Sequence, residues 1–98
     1  MAQAYVTYDL VNGKGDTLVK DAMKVIGYLD YWTTESSGKK SFYYLPNTSV
    51  WKDNTTIEQG KQDLLRVARE SKAEVERLIV TDCTLWDGIE GKPYKSDK

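Results

Sequence analysis

The sequence predicts an α+β fold, because extended and helical segments follow one another in the order β-α-β-β-α-β. Two further observations support this fold: the first strand is partly apolar on both faces, and a polar turn separates two aromatic-rich extended runs. The order is that of a ferredoxin-like fold, with two helices on one face of a four-stranded antiparallel sheet. The 98 residues suffice for one domain, which we predict over residues 1–87, followed by a polar C-terminal tail over residues 88–98.

The first strand is predicted over residues 4–11, where tyrosine, valine and threonine favour extended backbone. Successive side chains of a strand point to opposite faces. Both faces of this segment are partly apolar, which predicts a central strand. One face carries Ala4, Val6, Tyr8 and Leu10, and the other carries Tyr5, Thr7, Asp9 and Val11.

The first helix is predicted to begin with Asp16 as its N-cap, because aspartate accepts hydrogen bonds from the free amides of the first turn. Gly27 suits the position just past the last turn. Apolar residues at helical spacing predict the buried face of this helix. They are Leu18, Ala22, Val25 and Ile26.

A β-hairpin is predicted from the extended runs 28–34 and 41–51, which are joined by the turn-prone residues 35–39. Pro46 cannot donate a ladder hydrogen bond, so we expect a bulge or an edge position there. The last strand is predicted over residues 75–82.

The second helix is predicted from a capping box, in which the Glu58 side chain reaches back to Thr55. Gly60 interrupts the helix, and close packing against the sheet would explain a glycine there. The buried stripe of this helix is predicted to contain Ile57, Leu64, Val67 and Ala68.

The amino-acid composition limits the functions and the compartment that we expect for the protein. The formal net charge is −1, which argues against a protein whose main task is to hold a nucleic-acid backbone. The sequence has no histidine, and the lone Cys83 cannot form an intrachain disulfide, which fits a reducing compartment. There is neither a signal-peptide pattern at the N-terminus nor an apolar stretch that could span a membrane. These observations predict a cytoplasmic protein with no membrane partner.

Three segments together resemble a known superfamily. They are YVTYDL, which contains Tyr8 and Asp9, YYLPNTSVW over residues 43–51, and RLIVTD over residues 77–82. Over about residues 4–86, the chain resembles the CRISPR-associated ferredoxin-like endoribonucleases and their VapD-like toxin relatives. The resemblance implies a homodimer in which Asp9 of each protomer binds a divalent metal near the dyad. It also allows a structural or binding role, because many members of that superfamily lack nuclease activity.

The candidate site residues support two kinds of site. Asp9 is either a metal ligand or a strand-end residue that caps the following turn. Asp82 and Asp87 could add carboxylates if the strands bring Asp82 close to Asp9. The aromatic residues of the open sheet face and the hairpin are candidate binding residues, although simple packing is an equal alternative. The candidates for binding are Tyr5, Tyr43, Tyr44 and Trp51.

Two hypotheses follow. The first is a small dimeric ferredoxin-like binding protein that acts through protein–protein contact and requires no cofactor. One concrete form is an inhibitor or adaptor encoded by a phage or other mobile element. The second is an endoribonuclease that depends on Mg²⁺ or Mn²⁺ held by Asp9 of two protomers, with nucleic acid as its substrate. The fold alone does not decide between them.

Overall fold

The computed structural model describes residues 3–82. Two α-helices and five antiparallel strands are found there, so the α+β class and the two predicted helices are confirmed. A short 3-10 turn over Val11–Gly13 follows the first strand. The elements in chain order are β1 (Gln3–Leu10), α1 (Asp16–Val25), β2 (Tyr31–Ser36), β3 (Lys39–Tyr44), β4 (Ser49–Asp53), α2 (Ile57–Glu70) and β5 (Val75–Asp82).

The strands form two sheets instead of the predicted single sheet of four. One sheet has the order β4-β1-β5, and β2 pairs with β3 in a separate two-stranded hairpin. Within residues 3–82, one antiparallel bridge joins the sheets, with backbone hydrogen bonds of 2.8 and 2.9 Å between Leu29 and Trp51. After α1, the chain therefore pairs with β4 only at Leu29. It then enters the β2–β3 hairpin, whose strands pair with each other. The arrangement is compatible with a ferredoxin-like fold.

The second predicted hairpin run is divided into β3 and β4. A turn at Pro46 separates them, and its carbonyl accepts a 3.0 Å hydrogen bond from the Ser49 amide. Pro46 thus lies between two strands and not at a bulge within one. The proline ring removes a ladder donor, which is the physical reason why the predicted strand is interrupted at this point.

The core lies between one face of the three-stranded sheet and the two helices. The prediction for β1 is confirmed: it is the central strand, and its alternate residues from Ala4 to Leu10 are buried. Both helices pack on this side, which leaves the opposite face, called here the open face, without a helix. The main core cluster comprises Val6, Tyr8, Leu10, Val19, Met23, Tyr28, Val50, Leu64, Val67 and Ala68.

The predicted buried face of α1 is confirmed in part, because Ala22 and Ile26 pack against the core cluster, while Leu18 and Val25 are wrong. Leu18 is 54% exposed and Val25 is 84% exposed, whereas Val19, Lys20 and Met23 are buried. The long aliphatic stem of a lysine can line a core while its ammonium finds polar partners. A pattern that counts lysine as a surface residue therefore leaves Lys20 out of the buried face.

The ends of the helices follow from local chemistry. Gly15 takes the N-cap position of α1 in the left-handed region (φ 88°), so Asp16 is the first helical residue and not the cap. Gly27 (φ 105°) follows the C-cap Ile26, as predicted. The N-cap of α2 is Thr56, whose side chain accepts a 3.1 Å hydrogen bond from the Gln59 amide. The N-cap is therefore one residue later than the predicted Thr55, and the Gln59 side chain bonds to Asp63 rather than back to the cap.

The buried stripe of α2 is confirmed at Leu64, Val67 and Ala68, while Ile57 at the first residue of the helix is 49% exposed. Gly60 is buried where this helix crosses the sheet. A Cβ atom on Gly60 would lie 3.0 Å from the Cβ of Ala4 and 3.1 Å from the Cγ1 of Val80. The predicted close packing of Gly60 is thus confirmed. No helix within residues 3–82 is long and apolar enough to cross a membrane.

We expect Gly60→Ala to lower the free energy of unfolding by about 1 kcal/mol. The substitution gains about 1 kcal/mol of helix propensity, but forcing a methyl group into a packed interface costs about 1–3 kcal/mol. Urea denaturation followed by circular dichroism measures the difference, with exposed Gln62→Ala as the control on the same helix. A Gly60→Ala protein as stable as the wild type would contradict this packing.

Candidate functional site

Trp32 folds the hairpin onto the open face of the sheet. This side chain is buried, and its ring lies 5.5 Å from the ring of Tyr5 in a stacked arrangement and 5.7 Å from the ring of Trp51. The indole nitrogen of Trp51 donates a 2.7 Å hydrogen bond to the backbone carbonyl of Tyr31. Two of the predicted binding residues, Tyr5 and Trp51, therefore lie between the sheet and the hairpin, where they contact Trp32.

The opposite face of the hairpin carries three aromatic rings, called here the aromatic strip and formed by Tyr31, Phe42 and Tyr44. The ladder pairs Tyr31 with Tyr44 and Thr33 with Phe42, which places all three rings on one face. Their centroids are 5.4 Å apart for Tyr31–Phe42, 6.0 Å for Tyr31–Tyr44 and 6.3 Å for Phe42–Tyr44. Phe42 is 38% exposed, and the Lys40 ammonium lies 5.6 Å from its ring. Tyr31 and Tyr44 are half-buried, so the strip is a partly exposed aromatic surface with a cationic rim.

The structure separates the four predicted binding residues. Tyr44 belongs to the aromatic strip, whereas Tyr43 lies opposite Trp32 on the other face of the hairpin. Sequence reasoning did not select Tyr31 and Phe42 as binding residues. The alternation of Phe42 with Tyr44 along one strand was the signal that could have identified the strip.

A buried cluster of charges fixes the base of the hairpin. The ammonium of the fully buried Lys20 donates a 2.6 Å hydrogen bond to the carbonyl of Asn47 and lies 3.9 Å from a carboxylate oxygen of Asp30. Lys24 binds the same oxygen at 3.1 Å. Burial lowers the pKa of Lys20 to about 8, against the opposing effect of Asp30. Asp30 precedes β2 and Asn47 follows β3, so Lys20 holds both ends of the hairpin on α1.

A second buried contact holds the segment before the hairpin on α2. The Tyr28 hydroxyl donates a 2.7 Å hydrogen bond to Asp63, whose other oxygen accepts a 2.8 Å bond from Gln59. Burial, together with this bond to a carboxylate, raises the pKa of Tyr28 above its usual range. Lys52 covers the Tyr28 ring and donates to the Ile26 carbonyl at 2.9 Å. The hairpin therefore leaves the domain from a fixed base.

Asp9 lies at the far end of β1, where its carboxylate pairs with Arg77 across the strands at 2.9 Å. Both side chains are largely exposed and border an open polar cleft of about 370 Å³ that Asp16 and Glu76 also line. Burial and the nearby Asp9 raise the pKa of Asp16. Within residues 3–82, no group of three or more histidine, cysteine, aspartate or glutamate side chains is placed to hold a metal ion. The metal-binding role of Asp9 therefore stays a prediction.

The expectation that Asp82 approaches Asp9 is wrong. The two strands are neighbours, but the antiparallel register places Asp82 opposite Ala4, at the other end of β1. There Asp82 accepts a 3.3 Å hydrogen bond from the Gln3 amide. Cys83 and Asp87 lie outside the described residues, as does the predicted tail 88–98.

The basic residues that could contact phosphates are spread over separate surfaces. Two lie at the tip of the hairpin and four lie on α2 or just after it, and all six are exposed. Lys40 borders the aromatic strip, but the residues on and after α2 belong to a different element, so the six do not form one basic surface. The residues are Lys39, Lys40, Lys61, Arg66, Arg69 and Lys72.

Comparisons of the chain with protein-family models, with curated proteins and with solved structures gave no match. The resemblance to the CRISPR-associated endoribonucleases and VapD-like toxins therefore stays a prediction. The function proposed below depends on the geometry of the chain alone.

We expect the wild-type protein to become more stable between about pH 7.5 and about pH 9.5. The pKa of Lys20 is about 8 when folded and 10.5 ordinarily, so the folded chain binds fewer protons than the unfolded chain across this window. The free energy of unfolding then rises with pH, by about 2 kcal/mol from this group. Urea denaturation at both pH values measures the change.

Two variants separate the Lys20 contribution from that of other titrating groups. In Lys20→Met, the unfolding free energy should no longer rise with pH, because the titrating group is gone. In Lys39→Met, at the exposed tip of the hairpin, it should rise as in the wild type. The interpretation is wrong if Lys20→Met and the wild type show the same dependence of unfolding free energy on pH.

Proposed function

We propose that this chain is a small ferredoxin-like binding protein that acts through protein–protein contact, with the aromatic strip as its contact surface. The observation that carries the proposal is the set of three mutually packed aromatic rings on the outward face of the hairpin. Aromatic side chains are among the residues that contribute most to binding energy in protein interfaces. Their large apolar area also makes them costly to leave in water.

The fixed base of the hairpin supports this role. Trp32 stacks on the sheet, Trp51 binds the backbone of Tyr31, and Lys20 joins α1 to the turn at Asn47. The backbone under the strip is therefore held in place before a partner arrives. Binding to a preorganised surface loses less conformational entropy than ordering a free loop does.

The charge of the hairpin favours protein over nucleic acid as the partner. Residues 31–44 carry two lysines and one glutamate, a net charge of +1, and the whole chain is at −1. Proteins that bind nucleic acids neutralise several phosphates and gain much of their affinity from that. The aromatic strip has three rings and one adjacent ammonium, so it could neutralise few phosphates. The same rings match the apolar centre and polar rim of a protein–protein interface.

Self-association is part of the proposal. A short chain buries a modest fraction of its surface, so a second copy is a natural cover for exposed apolar side chains. An inhibitor or adaptor encoded by a phage or other mobile element is one form of this function that suits a chain of this size. The endoribonuclease hypothesis has no comparable support, because the Asp9 carboxylate is paired with Arg77.

We expect the double substitution Phe42→Ala and Tyr44→Ala to weaken partner binding about 1,000-fold, because two buried aromatic anchors that each contribute about 2 kcal/mol together contribute about 4 kcal/mol. Quantitative mass spectrometry would identify proteins captured by the wild type and lost by the double variant. Calorimetry with the purified partner would then give the ratio of dissociation constants, and light scattering the subunit number.

Leu65→Ala is the matched control, since Leu65 is an apolar residue of similar exposure (39%) on α2. It should bind like the wild type. The proposal fails if the double variant retains full affinity for every captured protein. It also fails if the strip binds a labelled single-stranded RNA tightly and no protein.

A further inference from the structure

β3 is an edge strand next to the aromatic strip. It pairs with β2 on one side, and within residues 3–82 its other side has no ladder partner. Phe42 and Tyr44, which supply two rings of the strip, belong to β3. An unpaired edge beside exposed aromatic side chains is a place where a further strand can join the sheet.

The hydrogen bonds around β2 show which backbone groups of the hairpin point outward. Leu29 exchanges backbone hydrogen bonds with Trp51, and the Tyr31 carbonyl accepts one from the Trp51 indole. The odd-numbered residues of this segment therefore direct their backbone groups away from β3. The even-numbered residues face β3, as Asp30 does when its carbonyl accepts a 2.9 Å hydrogen bond from the Leu45 amide. An antiparallel ladder alternates in this way along both of its strands.

The outward backbone groups of β3 belong to Lys40, Phe42 and Tyr44. These residues lie opposite odd-numbered residues of β2, at rungs where the two strands of the hairpin do not hydrogen-bond to each other. The same three residues carry two rings of the aromatic strip and the ammonium at its rim. A strand that pairs with this edge therefore meets free amide and carbonyl groups and places alternate side chains directly beside the strip.

We propose that the strand that pairs here is β3 of a second copy, in antiparallel orientation around a two-fold axis at Phe42. Such pairing is the form that the self-association in the proposed function takes, so it rests on that function. It joins two hairpins into one sheet with the strand order β2-β3-β3-β2. Residues directly opposite each other in a ladder share a face, so the two aromatic strips become one continuous surface.

The two lysines at the start of β3 select this register. With Phe42 on the axis, Lys40 lies opposite Tyr44 of the second copy, where its ammonium reaches an aromatic ring. The two copies of Lys40 then lie four residues apart, about 13 Å along the ladder. Registers shifted toward the tip bring these like charges closer together, which is destabilising. Registers shifted toward the base pair β3 with the turn at Pro46, which has no amide hydrogen.

The pairing also covers apolar surface that a single chain exposes. Phe42 is 38% exposed in one chain and packs against its symmetry mate in the pair. Trp32 and Trp51 hold the hairpin in place, so the edge is ordered before the second copy arrives. Pairing at such an edge therefore loses little conformational entropy.

Sedimentation equilibrium of Lys40→Pro and Lys40→Ala tests the backbone pairing. Both substitutions remove the ammonium, but only proline removes the outward amide hydrogen, which the hairpin itself does not use. We expect the wild type to be dimeric and Lys40→Pro to self-associate at least about tenfold more weakly than Lys40→Ala, because symmetry removes the hydrogen bond at two positions. Both variants should keep the circular dichroism spectrum of the wild type.

Cysteine substitutions in the full-length Cys83→Ser protein test the position of the axis. Phe42→Cys places two cysteines opposite each other on the axis, at a Cα separation that allows a disulfide. Thr33→Cys is the matched control, because Thr33 is an exposed residue at the same rung and on the same face, but belongs to β2. With oxidised glutathione, we expect Phe42→Cys to form the intermolecular disulfide at least about tenfold faster than Thr33→Cys.

Three outcomes would overturn the proposal. They are a monomeric wild type, equal self-association of Lys40→Pro and Lys40→Ala, and equal disulfide rates for the two cysteine variants. These assays use no partner protein, so their failure differs from failure of the proposed function. A monomeric wild type that captures a partner through the strip would overturn the pairing and leave the binding function intact. A β3-paired dimer whose strip captures no partner would support the pairing and refute the binding function.

Discussion

Trp32 stacks on Tyr5 and Trp51 on the side of the sheet that the helices leave open, and the placement of the hairpin depends on this contact. The only ladder bridge between the two sheets in the described part of the chain is the one at Leu29. One bridge leaves a hairpin free to rotate about its base, whereas large stacked rings fix its orientation. Once Trp32 faces inward, alternation along the strands determines which side chains face outward.

The polar contacts below the hairpin complement this apolar contact. Lys20 and Tyr28 both bring polar atoms into the core, and both find charged partners there. Buried polar groups with partners constrain a fold more than they stabilise it, because few other arrangements satisfy them. They restrict the chain on either side of the hairpin to one path. The aromatic strip is therefore the outer surface of a hairpin whose attachment to the domain is fixed by specific buried contacts.

Much of the fold could be predicted from local pattern. The alternation along β1 predicted a central strand, and the glycines at positions 27 and 60 were interpreted correctly. The errors arise where a residue behaves unlike its class. Lys20 is buried, so it was left out of the predicted buried face of α1, whereas Leu18 and Val25 were included although they are exposed. Neither could the sequence show that β2 and β3 leave the main sheet, because that division depends on tertiary packing against Tyr5.

The candidate site was harder to predict for a related reason. Alternation shows which residues share a face of a strand, but it does not show which face the rest of the protein covers. Of the predicted binding residues, Tyr44 lies in the outward-facing aromatic strip, whereas Tyr5 and Trp51 are covered by Trp32. Composition counts these aromatic residues equally, although some hold the hairpin in place and others are available for contact.

The two faces of the hairpin have different roles, and this has a consequence for protein engineering. Contacts to the domain come from the inward-facing Trp32 and from the base, whereas the outward positions of β2 and β3 are absent from the core cluster. Outward side chains between positions 33 and 42 could therefore be randomised in a library without disturbing the hydrophobic core. The two-residue turn at Ser37-Gly38 is also free of close neighbours around the glycine. The fold thus offers a compact display scaffold, in which a variable surface is carried by an invariant anchor.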